Sequence, residues 1–145
     1  MKVVLQRVLE ASVSVNKEII GQIQQGWLLL LGISHTDKST QIVPLCKKIF
    51  ELRSFNDSKQ KMNLSLKDID GGILVVSQFT LFGDCSKGRR PSFNEAANAD
   101  HAEKLYLEFI EEFKKLSPKV ETGQFGAKMQ INTICDGPVT LILET

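Results

Sequence analysis

The chain has 145 residues, 42% of them hydrophobic, with 18 Lys and Arg against 17 Asp and Glu. That length suits one domain with one core, and a net charge of +1 gives no global pull toward nucleic acid or an anionic surface, so any polyanion site has to be a local patch. Cys46, Cys85 and Cys135 are far apart with no CxxC, which argues against a disulfide framework or a cysteine zinc site, and the longest apolar run, Trp27 to Leu31, is too short to span a bilayer. A cytoplasmic, membrane-free domain is expected.

The first 33 residues read as strands. Lys2 to Arg7 is rich in Val and Leu. Ser12 to Val15 alternates with period two, Asn16-Lys17-Glu18 is a turn, and Ile19 to Gln24 returns as a hairpin partner. After Gly26, the run Trp27 to Ile33 is apolar on both faces, as a central strand is. Asp37, Ser39 or Thr40 can cap a helix over residues 40–53, with Ile42, Leu45, Ile49 and Leu52 on one face. Pro44 is tolerated only in the first turn, so the helix starts near Gln41 or Ile42. Phe55 to Lys67 reads as polar loop. Ile73 to Val76 is a second buried strand and runs straight into Ser77-Gln78-Phe79-Thr80. A second helix spans Ala99 to Leu116, capped by Asn98 or Asp100, with Ala102, Leu105, Phe109 and Phe113 or Leu116 buried. Lys114 and Lys115 close it, with the sign favoured at a helix C-terminus. Lys119 to Thr122, Met129 to Cys135 and Val139 to Leu143 are the remaining strands. The expected architecture is α/β: a single domain over 1–145, with curved, barrel-like mixed sheets and two amphipathic helices on one side.

Three stretches could carry chemistry. Gly137-Pro138 interrupts a strand pattern. It is either a plain turn or a distorted peptide that aims its carbonyls at a ligand, because Pro has no N–H for a ladder. Ser77 to Thr80 places two hydroxyls and a carboxamide directly after an apolar strand, where backbone N–H groups can serve as an oxyanion hole. Lys87, Arg89 and Arg90, with Gly88 and Phe93, form a compact basic loop suited to phosphates. Arg7 inside an apolar strand should pair with an acid or hold carbonyls. Phe125 and Met129 read as core on composition alone. The two histidines, His35 in a polar loop and His101 at a helix start, stand in no triad motif. No HExxH, EF-hand loop, P-loop or GxGxxG occurs, so no metal or cofactor is expected.

Taken together, the opening Val-Leu-Gln-Arg-Val, Ser77-Gln78-Phe79-Thr80-Leu81, Gly88 to Phe93, Gln124-Phe125-Gly126-Ala127 with Met129-Gln130, and Gly137-Pro138-Val139-Thr140 resemble the D-aminoacyl-tRNA deacylase family over the whole chain. The resemblance implies hydrolysis of D-aminoacyl-tRNA, and to some degree of glycine mischarged on tRNA, by a homodimer with its active site at the subunit interface. It implies that Gly137-Pro138 is cis, that its carbonyls enter the partner's pocket and exclude the L form, and that Arg7 orients the dipeptide. Ser77, Gln78, Phe79 and Thr80 would line the catalytic pocket, Phe125 and Met129 would flank the terminal adenosine, and Lys87, Arg89 and Arg90 would meet the tRNA backbone. The tRNA's own 2′-hydroxyl would assist the attack. One departure stands out: the family's Asn two places before the Gly is Cys135 here. Two other readings are a non-catalytic RNA-binding module and a general esterase using Ser77 or Thr80.

Overall fold

Residues Lys2–Val15 form one long strand, β1. The computed structural model describes all residues from 1 to 145. The sequence suggests two strands here because the inward alternation slips: Arg7 and Val8 are both buried, and Leu9 and Glu10 are both exposed. The slip marks irregular pairing with the C-terminal strand, and the backbone continues through it.

β2 (Glu18–Ile23) and β3 (Gly26–Gly32) pair antiparallel with the two halves of β1 along one edge. β3 then pairs parallel with β6 (Gly72–Ser77), and β6 with β7 (Val120–Thr122). Helices α1 (Ile42–Glu51) and α2 (Ala99–Leu116) make the two crossovers that parallel neighbours require. The sheet curls until β2 meets β7: a Cβ on Gly21 would lie 2.8 Å from the Thr122 carbonyl oxygen. Only a residue without a side chain allows that approach, which nearly closes the barrel.

This curl explains the two-sided apolarity of β3 and β6. Trp27, Leu29, Leu31, Ile73 and Val75 face the helices, in a core cluster with Ile49, Leu105, Tyr106 and Phe109. Leu28, Leu74 and Val76 face the barrel interior with Val8, Val13 and Ile23. Both helices therefore pack on one side, as expected. On α2, Tyr106 and Ile110 join Leu105, Phe109 and Phe113 in the buried face, while Ala102 and Leu116 are half-buried. Asn98 caps α2 by accepting from the His101 N–H at 2.9 Å. Pro44 lies in the first turn of α1, behind a 3₁₀ turn over Ser39–Gln41.

Two loop expectations need correction. The segment after α1 contains a small hairpin, β4 (Phe55–Asn56) with β5 (Met62–Leu64), closed by Asp57, whose carboxylate accepts from the N–H groups of Lys59 and Lys61. The segment around Gly137-Pro138 is not a turn between strands. β8 runs unbroken over Gln130–Glu144 along the free edge of β1. Its pairing steps from Gln6↔Thr140 to Val8↔Cys135, so five residues of β8 pass while β1 advances two. Asp136 to Val139 thus bulge opposite Arg7, at the place where Pro138 has no N–H to offer the ladder.

Candidate active site

A cavity of about 470 Å³ opens at the C-terminal end of β6. Its floor is Leu31, Ile33, Val76 and Ile131, and small residues of the α2 N-terminal region (Ala97, Ala99, Ala102) form one wall. Ser77, Gln78 and Phe79 line it where β6 ends, and Phe125 and Met129 line it as well. After Ser77 the chain enters a 3₁₀ turn over Phe79–Phe82. The leading N–H groups of such a turn have no acceptor within it, so Phe79 and Thr80 present free donors beside the cavity. Thr80 is not in the lining; its hydroxyl accepts from the Gln78 carboxamide and fixes that side chain at the rim. No lining residue carries a charge.

The aromatic side of the cavity is anchored from behind. Tyr106 of α2 is buried, and its hydroxyl donates to the Val75 carbonyl at 2.9 Å and the Gly123 carbonyl at 3.3 Å. Burial pushes its pKa up to about 12, so it remains a donor across the working range. Its ring lies 5.8 Å from that of Phe125. Met129 packs on Gly123, where a Cβ would sit 2.6 Å from the sulfur.

Arg7 and Gly137-Pro138 form a second constellation that does not line this cavity. Arg7 is only 4% exposed. Its Nη1 donates to the Ser54 carbonyl at 2.7 Å and more weakly to Asn56 Oδ1 at 3.5 Å, while Nε reaches the Asp136 carboxylate at 2.9 Å and the Asp136 carbonyl at 3.3 Å. The next peptide, Gly137-Pro138, is cis, with Gly137 at φ +116° and both residues exposed. A Cβ on Gly137 would meet Val139 Cγ2 at 2.9 Å and Arg7 Nη2 at 3.2 Å, so the position demands glycine. Cys135 is exposed and accepts from Gln6 Nε2 at 3.2 Å. Asp136 therefore holds this corner directly to Arg7, beside a cysteine with a single weak contact.

The basic loop is a short excursion closed by mutual backbone bonds between Asp84 and Ser92. The Ser86 backbone N–H holds the Asp84 carboxyl below its usual range, so it stays ionised at the loop's base. Lys87, Arg89 and Arg90 are exposed to solvent, and none of them enters an ion pair. The loop foot reaches the cavity through Phe93, whose ring meets Phe79 edge-on at 5.1 Å. His35 Nδ1 lies 3.3 Å from the Glu95 carbonyl. His101 is half-buried, with Nε2 3.0 Å from the Asp37 carbonyl. Neither lines the cavity, so no imidazole is placed to activate Ser77 or Thr80.

The family model described as D-Tyr-tRNA(Tyr) deacylase matches residues 4–144. The chain belongs to that family. It is 52% identical to a D-aminoacyl-tRNA deacylase of Thermosipho africanus over 145 residues, covering 100% of this chain and 97% of the relative. It is 54% identical to the D-aminoacyl-tRNA deacylase of Bacillus cereus strain AH187, covering 100% and 99%. Among solved structures it is similar to the c-Myc DNA Unwinding Element Binding Protein, with a TM-score of 0.94 at 41% identity over 100% of this chain and 99% of that one. A probable eukaryotic D-amino acid tRNA deacylase shares the fold, with a TM-score of 0.86 at 17% identity over 98% and 97% of the two chains.

Within this family member, the residues that sequence reasoning missed are Asp136, Ser54 and Gln6 at the corner, and Tyr106 behind Phe125. Ser54 and Gln6 carried no signal, since their contacts are set by pairing across the fold. The small residues Ala97, Ala99 and Ala102 gave a faint one: a run of short side chains entering a helix leaves space beside it.

Proposed function

We propose that this deacylase hydrolyses the ester of D-aminoacyl-tRNA in a pocket completed by a second copy of the chain. The observation that carries the reading is a separation. The cavity holds Ser77, Gln78, Phe79, Phe125 and Met129 but no carboxylate to pair with an α-ammonium, while exposed Gly137-Pro138 lies elsewhere on the same protomer. An aminoacyl ester carries that ammonium next to the scissile carbonyl. Burying that charge with only one hydroxyl and one carboxamide beside it would be costly. The partner's Gly137-Pro138 supplies the missing carbonyl oxygens and holds the amino group on one side of the ester carbonyl. The L enantiomer, held the same way, would turn its side chain into the partner backbone. Glycine, with no side chain, passes to a degree. Supporting the pairing, β8 is a long strand whose outer edge has no partner, with Ile134 and Ile142 at 52% and 70% exposure. Such an edge is normally blunted or covered.

The terminal adenosine sits between Phe125 and Met129, and the ester carbonyl faces the Phe79 and Thr80 N–H donors. In an uncharged, largely apolar cavity those dipoles stabilise a developing oxyanion more strongly than in water. The attack is assisted by the 2′-hydroxyl of the terminal ribose. Both histidines are committed to backbone carbonyls outside the cavity, which disfavours the esterase reading. Lys87, Arg89 and Arg90 contact the backbone of the tRNA and contribute affinity. No helix is long and apolar enough to cross a membrane, and we place the reaction in the cytoplasm with its tRNA substrates.

The test compares amino-acid release from D- and L-charged tRNA, with and without the terminal 2′-hydroxyl. Release from the D form alone, lost when the hydroxyl is removed, is expected. An unchanged rate on the 2′-deoxy substrate would overturn the RNA-assisted step. Binding of both enantiomers without release would favour the RNA-binding module.

A further inference from the structure

The near-neutral total charge conceals a strong segregation. Residues 47–67 carry six Lys and Arg against two acids, a net charge of +4. Residues 95–112 carry one Lys against six acids, a net charge of −5. Just beyond the acidic region two lysines are used for pairing: Lys114 and Lys115 bind Glu111 and Glu112. In the basic segment the reverse holds. Lys47, Lys48, Lys59, Lys61 and Lys67 are exposed, and none enters an ion pair. Of the nearby carboxylates, Glu51 is exposed and enters no ion pair, and the two aspartates are occupied. Asp57 accepts from the backbone of its own turn, and Asp68 accepts from the Ser65 N–H and hydroxyl at 2.8 and 2.7 Å. Five ammonium groups are therefore left for an external anion.

This segment is also fastened to the Gly137-Pro138 corner. Arg7 bonds Ser54 and Asn56 with one nitrogen and Asp136 with another. Lys67 N–H donates to the Phe50 carbonyl at 3.4 Å, which ties the far end of the hairpin segment back to α1. The basic segment and the dipeptide thus share one anchor. On the cross-subunit reading above, whichever pocket receives the dipeptide also receives this segment at its rim.

We propose that Lys47, Lys48, Lys59, Lys61 and Lys67 form a phosphate-binding ridge that grips the tRNA whose terminus lies in the partner subunit's pocket. The pocket's own Lys87–Arg90 loop holds the same tRNA from the other side. Each tRNA is then held by both subunits, and a monomer would lose half of the electrostatic grip along with the chiral filter. Point-charge lysines on a surface segment suit backbone tracking without base readout.

The experiment uses the full-length enzyme with Lys59→Gln/Lys61→Gln and Lys47→Gln/Lys48→Gln, and Lys17→Gln as the control. Both double variants should raise KM for D-aminoacyl-tRNA about tenfold near physiological salt and flatten the salt slope by roughly 0.7–0.9 for each phosphate left without its lysine. Lys17→Gln should match wild type. The defect should disappear on a D-aminoacyl ester of free adenosine, which has no phosphates to grip. An unchanged salt slope in both double variants would overturn the ridge. To place it across the interface, one subunit carries Gln78→Ala and the other Gly137→Ala, with Asp136→Ala as a second dipeptide variant should Gly137→Ala not fold. The single working site then draws its dipeptide from the Gln78→Ala subunit. Ridge substitutions should raise KM only on that subunit. A defect confined to the other subunit would overturn the two-sided grip. Mixed dimers without any activity, subunit exchange being confirmed, would instead refute the cross-subunit site, while the homodimer salt slopes would still decide whether the ridge binds tRNA.

Discussion

Replacing Arg7 with Met keeps an unbranched apolar stem of similar reach and removes the guanidinium. The Ser54 carbonyl, held at 2.7 Å in a buried setting, loses its charged donor. An orphaned buried acceptor costs about 1–3 kcal/mol. The Asp136 carboxylate, at 2.9 Å, is on a side chain 32% exposed, so water recovers most of that pair and the loss there is roughly 1 kcal/mol or less. The sum, about 1–4 kcal/mol, corresponds to a fall in Tm of roughly 3–15 °C for a domain of this size. Arg7→Lys should fall between the two, because a single ammonium cannot reach Ser54 and Asp136 together. The functional effect follows from geometry. Without Nε the Asp136 peptide is released and the next residue, Gly137, loses its fixed direction. A misplacement near 1 Å costs on the order of 10²-fold in rate. The assays are thermal unfolding at fixed protein concentration and release of amino acid from D- and L-charged tRNA measured side by side. We expect kcat/KM on the D substrate to fall and the D/L ratio to narrow. A double-mutant cycle with Asp136→Ala should give a coupling of about 0.5–1 kcal/mol. Arg7→Met protein that is less stable yet keeps the wild-type D/L ratio would refute the claim that this pair sets the chiral corner.

Thr80→Ala should keep measurable deacylation, since its hydroxyl positions Gln78 and no base is near it; complete loss of turnover in folded protein would restore the side-chain nucleophile. Tyr106→Phe removes a donor shared by Val75 and Gly123 and should cost about 1–2 kcal/mol while raising KM more than it lowers kcat, because it loosens the support behind Phe125. Alkaline stability carries a sign that can be checked. Burial raises Cys46 to about 12 and Tyr106 to about 12, so both stay protonated in the fold after they would ionise in the unfolded chain. Their contribution is full below the unfolded values near 9 and 10 and declines as pH rises toward 12; Cys46→Ala should remove the portion of the slope that starts near pH 9 in equilibrium unfolding. Neutralising Arg89 and Arg90 together should weaken tRNA binding and flatten its salt dependence with the D/L ratio intact, as read by binding across a salt series.

What the amino-acid sequence determined by itself is the chemistry of short segments. The α2 boundaries follow from Asn98, from Lys114-Lys115 and from Pro118, each acting within a turn or two of the chain. The lack of an N–H at Pro138 fixes, locally, that no regular ladder passes through it. Ser77 to Thr80 stands out in the sequence because a polar cluster directly after an apolar strand is a local anomaly, and Ser77, Gln78 and Phe79 line the cavity there. The tertiary structure decided whatever depends on partners distant in sequence. Arg7 and Asp136 are 129 residues apart, and only the pairing of β1 with β8 sets one opposite the other. That pairing also turned an apparent turn into a bulge, because Thr140 to Glu144 remain in register with Lys2 to Gln6 beyond it. The joint membership of Ser77, Phe125 and Met129 in one cavity rests on the parallel pairing of β6 with β7 and on the Tyr106 hydroxyl beneath both. Backbone preference acts over a few residues and is written in them. Long-range pairing is a free-energy minimum of the whole chain, so the side chains that meet there carry no local mark of it.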